Sequence, residues 1–78
     1  MEGVLVETCW RMRGLSGGVF TCGIYRADTG LIEIRVSSGE ESKVVFTHAL
    51  LDIDTARQVA MGWRTALTAT GTFSELLH

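Results

Sequence analysis

Proline is absent from this 78-residue sequence, as are internal repeats and low-complexity tracts, so nothing in it reads as a linker and residues 1–78 form one domain. A chain this short buries only about 60% of the surface its unfolded form exposes. Its core alone is therefore marginal, and a partner, most simply a second copy in a homodimer, is expected. No apolar run reaches the ~18 residues of a membrane-spanning helix. The opening MEGVLVET carries acid where an export signal carries base, and it lacks an adequate apolar stretch, so the expectation is a bacterial-type cytoplasmic protein. Basic charge is scarce too. Seven Lys and Arg stand against nine Asp and Glu, and the net charge of −2 exerts no overall pull on a phosphate backbone, so nucleic-acid binding needs a local patch.

Motifs that carry chemistry are equally sparse. Cys9, Cys22, His48 and His78 are the cysteines and histidines, but they form no CxxC, HxxxH or other short ligand pair, so no zinc site is expected. Gly14, Gly17 and Gly18 match neither GxGxxG nor GxxxxGK[ST], and no serine sits on a hydrolase-type elbow. The expectation is a protein that is not an enzyme and holds no cofactor. His48 precedes Asp52 and Asp54 closely, but it has no nucleophile to serve, and a structural histidine bonded to backbone is the simpler reading than a general base. Strict alternation would put Trp10 and Cys22 on one face and Cys9 on the other, which predicts two free thiols, since a sheet would separate them.

What the sequence does have is apolar patterning, with 46% hydrophobic residues and a mean hydropathy of +0.24. The longest pattern is DIDTARQVAMGWRTALTATG, Asp52 to Gly71. Ile53, Ala56, Val59, Ala60, Trp63, Ala66, Leu67 and Thr70 recur at three- and four-residue steps and predict a helix with one buried arc. Asp52 is the expected N-cap, Asp54 suits the positive end of the dipole, and Gly71 is the stop.

The earlier residues read as strands. Val4 to Arg13 alternates, with Val4, Val6, Thr8, Trp10 and Met12 opposed to Leu5, Glu7, Cys9, Arg11 and Arg13. After a glycine-rich turn, Val19 to Ala27 sends Phe20, Cys22 and Ile24 inward and Thr21, Gly23 and Tyr25 outward, Gly23 marking a bulge or a close approach. Ala27-Asp28-Thr29-Gly30 is a hairpin turn. Leu31 to Ser37 sends Ile32, Ile34 and Val36 inward, with Glu33 and Arg35 outward. Lys43 to Ala49 is apolar on both faces, as suits a buried strand or one that meets a partner. The tail from Thr72 is either loose or one helical turn. The predicted class is α+β: a four-stranded antiparallel sheet covered on one face by a C-terminal helix, β-β-β-β-α.

Two surfaces stand out. Arg11, Arg13, Tyr25 and Arg35 share the face the helix leaves open, where guanidiniums could hold phosphates and the ring could stack a base. Glu7 and Glu33 are expected on the same face, and pairing with the arginines is the ordinary explanation. On the helix, Gly62, Ala66 and Ala69 form a small-residue strip. Gly62 costs about 1 kcal/mol relative to Ala unless something approaches closely, either the protein's own sheet or a second helix across a dimer interface.

The runs Cys22-Gly23-Ile24-Tyr25-Arg26, Gly30-Leu31-Ile32-Glu33-Ile34-Arg35, Asp52-Ile53-Asp54-Thr55-Ala56-Arg57 and Gly62-Trp63-Arg64 resemble a set of small bacterial one-domain proteins of unassigned function. The resemblance spans Cys22 to Leu67 and implies a one-domain αβ protein with no assigned activity. The β-β-β-β-α order is also similar to that of a transcriptional coactivator family that dimerises and grips single-stranded DNA on its sheets, a likeness of topology that does not fix function. The reading that follows is a small non-enzymatic interaction domain acting as a homodimer, with weak single-stranded nucleic-acid binding on the open sheet face as the alternative.

Overall fold

The structure, a computed structural model, describes residues 3–15, 17–39, 43–71 and 73–76. Four strands, β1 (Val4–Gly14), β2 (Val19–Arg26), β3 (Ile32–Ser38) and β4 (Lys43–Leu50), precede the helix α1 (Ile53–Ala69), and a short β5 (Phe73–Glu75) follows it. They form one antiparallel sheet in the order β4-β3-β2-β1-β5, with α1 across one face. The α+β class is as the patterning predicts, but there is a fifth strand. Residues Phe73–Glu75 are neither loose nor helical: they pair with Met12–Gly14 at the outer side of β1. Phe73 packs edge-on against Phe20, ring centroids 5.6 Å apart, and burying that aromatic offsets the entropy of ordering three residues. Thr72, Leu77 and His78 lie outside the described residues.

Local chemistry sets the turns and ends. Gly30 takes a φ of +92° in the β2–β3 hairpin and donates its N–H to the Ala27 carbonyl at 2.8 Å. The Asp52 carboxylate accepts the Thr55 N–H at 2.7 Å. Gly71, with φ +75°, follows the last helical turn.

Trp10, Met12, Cys22, Ile24, Ile32 and Ile34 rise from β1, β2 and β3 to meet Ala56 and Ala60. Only these two alanines are fully buried on α1, while Ile53, Val59, Trp63 and Leu67 are half-buried around them. Alanines at the contact let the helix backbone sit close to the sheet. The Trp10 indole, 2% exposed, donates its N–H to the Ala60 carbonyl at 2.8 Å. Ala66 and Thr70, expected in the buried arc, are exposed. The helix contact is therefore narrower than the periodicity predicts.

The strict alternation read for β1 is corrected by two bulges. Leu5 pairs with Tyr25 and Glu7 with Ile24, then Thr8 with Gly23 and Trp10 with Cys22, so Val6 and Cys9 are extra residues. Each extra residue shifts the two-residue period by one. Glu7 and Cys9 consequently turn to the helix side, and Thr8 to the open side.

Candidate functional site

On the open face, Tyr25 and Glu33 are cross-strand partners and Gly23 faces Arg35. The Arg35 guanidinium lies 4.5 Å from the Tyr25 ring centroid and binds Glu33 Oε1 at 2.9 and 3.1 Å. Gly23 has a packing reason: a Cβ there would meet Leu5 and the Tyr25 ring at 3.1 Å, so its absence lets both side chains fold across the strand. Arg11 and Arg13 are exposed further along β1, where Arg13 reaches the Gly17 carbonyl at 3.4 Å. The structure thus joins Tyr25 to Arg35 through a cation–π contact and leaves Arg11 and Arg13 apart from them. Glu7 is on the other face altogether.

There, Glu7 receives the Arg57 guanidinium at 2.8 Å, and Arg57 also reaches Asp54 at 3.3 Å. Arg57 holds the Glu7 carboxyl below its ordinary range. One flank further, Arg64 forks onto Glu75 of β5 with two 2.6 Å bonds. The two helix arginines tie α1 to β1 and β5, the same side of the sheet.

The bulge at Cys9 brings the two cysteines to one face, correcting the expectation that the sheet separates them. Both thiols are free. Cys22 is buried, and Cys9, half-buried beside Thr8, Arg57 and Met61, has its pKa lowered mainly by a hydrogen bond from Cys22. The Cys22 thiol is pushed up, first by Cys9 and then by burial.

His48 is exposed on β4, opposite Ile34. The cavity of about 310 Å³ at the helix start is lined by Arg26, Ile32, Asp52 and Asp54 among others, without His48. A histidine–carboxylate pair is therefore not assembled there. Among the described residues, no three of His, Cys, Asp and Glu stand close enough to hold a metal ion, and no helix is long and apolar enough to cross a membrane.

The most distinctive surface is β4. Residues 43–49 are all exposed, including Val44 at 48%, Val45 at 52% and Phe46 at 48%. The helix, whose buried Ala56 and Ala60 meet β1, β2 and β3, covers this outer strand only in part. Phe46 meets Trp63 edge-on at 5.1 Å. Together with Trp10, Val36, Ala66 and Leu67 they line an open apolar groove of about 260 Å³ between α1 and β4. All three residues of the small-residue strip are exposed; Ala66 also lines this groove, and a Cβ on Gly62 would meet nothing within 4 Å. Close approach of the protein's own sheet, the simpler explanation for Gly62, is thereby removed.

The period-two reading of β4 flagged both its faces as apolar. What no period conveys is that the strand is at the edge and only partly covered by the helix.

These features define the class: a one-sided α+β sheet domain whose last long strand is a largely exposed edge. No family model matches the chain, and neither the curated proteins nor the solved structures provide a match to set beside it.

Proposed function

We propose that this is a small non-enzymatic interaction domain that works as a homodimer. The observation that supports it is β4, an eight-residue edge strand on which Val44, Val45 and Phe46 are each about half exposed. Isolated exposed apolar residues are ordinary, but a contiguous group next to an apolar groove is the mark of a contact surface. A chain of 78 residues also gains from covering such a surface, because its own core is small.

The alternative, single-stranded nucleic-acid binding by Arg11, Arg13, Tyr25 and Arg35, has less in its favour. The Arg35 guanidinium occupies a face of the one tyrosine and is neutralised by Glu33. Only Arg11 and Arg13 remain for phosphates, against a net charge of −2.

Sedimentation equilibrium tests the reading. A two-chain species expected at about 100 μM should give way to monomer on dilution, with a melting temperature that rises with protein concentration. A folded monomer throughout that range would overturn it.

A further inference from the structure

Building on the homodimer reading, we infer that β4 pairs antiparallel with β4 of a second copy, joining two five-stranded sheets into one of ten strands. The backbone shows which groups are available. Ala27 N–H bonds the Leu31 carbonyl at 2.8 Å and Gly39 N–H bonds the Val19 carbonyl at 3.0 Å. Odd-numbered β3 residues therefore aim their peptide groups at β2, and Ile32, Ile34 and Val36 aim theirs at β4. Their partners Leu50, His48 and Phe46 bond inward. Thr47 and Ala49 consequently present N–H and C=O outward, where no described element of the chain meets them.

The sheet's two edges are treated differently. Along the part of β1 that β5 does not cover, two bulges and the inward-facing Glu7 disrupt the ladder, devices that keep an edge from pairing. On β4 a single bulge at Val45 lies near its start, and from Phe46 to Leu50 the strand is regular and carries no Lys, Arg, Asp or Glu. The edge left open is the regular one.

Charge selects the second copy and the antiparallel sense. The one charged residue of β4 is Lys43 at its first position, and Asp52 and Asp54 follow its last. Pairing Thr47 and Ala49 with their counterparts about a two-fold axis brings Lys43 to the end of the partner's β4, the end that an acidic residue, Asp52, follows, twice over. A parallel arrangement would set Lys43 beside Lys43.

The same two-fold leaves both helices on one face. The groove holding Phe46, Trp63 and Ala66 in each copy then merges with its mate over the paired β4 strands. An edge of eight residues, about 27 Å long, with side chains on both faces covers on the order of 1,000 Å² in total, the lower range for a specific interface. That size fits a dimer that exchanges with monomer.

The test uses the full chain. Ala49→Pro removes one outward N–H and leaves the β3 ladder intact, and it is expected to weaken self-association at least tenfold while circular dichroism stays native. Lys43→Glu, which sets like charge against the acidic end of the partner's β4, should weaken it severalfold. In hydrogen exchange on the wild type, the Thr47 and Ala49 amides should be protected at dimer concentrations and exchange freely on dilution. This readout holds even if Ala49→Pro fails to fold. A wild-type dimer whose Thr47 and Ala49 amides exchange freely, or a folded Ala49→Pro variant that dimerises as tightly as wild type, would overturn β4 pairing and leave the homodimer standing. A wild type that never dimerises would remove both.

Discussion

Cys9 and Cys22 share one β-bulge yet have opposite chemical prospects. Cys9 is half-buried and its thiolate is favoured by the neighbouring Cys22 thiol, then by Arg57, while burial and Glu7 oppose the shift. Cys22 is fully enclosed and held as the thiol. Alkylation by iodoacetamide at about pH 8 is therefore expected to modify Cys9 in the folded protein and Cys22 only on unfolding, because the thiolate is the reactive form. Peptide mapping by mass spectrometry distinguishes this from equal labelling, which would place both thiols in similar surroundings. At the same scale, Ile34 is fully buried in β3. Ile34→Ala should cost about 2–5 kcal/mol of stability in urea denaturation, through lost burial and the cavity left behind.

The helix is held by alanines beneath and arginines to one side. Gly62 sits in mid-helix with open space where a Cβ would go, so Gly62→Ala is expected to stabilise the fold by about 1 kcal/mol, read as a higher urea midpoint with unchanged slope. Because Gly62 lies outside the groove that holds Phe46 and Trp63, its self-association should remain that of wild type. The Arg57–Glu7 contact between α1 and β1 makes the docking pH-dependent. Glu7 has a lower pKa folded than unfolded, so its contribution is complete above the unfolded value of about 4.3 and is lost as pH falls through the lower folded value. The stability difference between wild type and Glu7→Gln should be constant near neutrality and shrink below about pH 4, as followed by denaturation across pH. A difference that grew on acidification would reverse the assignment.

For the whole molecule, asymmetry is what matters. Ion pairs from Arg57 and Arg64 tie α1 to β1 and β5, its buried alanines meet β1, β2 and β3, and a single helix does not also roof the whole of the β4 edge. The uncovered edge and the groove beside it follow from that placement. Regular pairing potential, apolar side chains and a Lys43–Asp52 polarity meet there, which is why self-association is the function the geometry supports best.

The sequence by itself determined the class, the positions of β1 to β4 and of α1, the turn at Gly30, the cap at Asp52 and the stop at Gly71. Each depends on a local period or on the conformational preference of one residue, and both are present in the order of the amino acids. It also marked β4 as apolar on both faces. Only the tertiary structure decided where Glu7 and Cys9 point, since a bulge arises from how two distant strands register and leaves no imprint on either strand's alternation. The same holds for Phe73–Glu75, whose strand pairing exists only because β1 offers an edge and Phe20 a ring. Whether an apolar strand ends up central or at the margin depends on what packs beside it, and that is settled by long-range contacts alone.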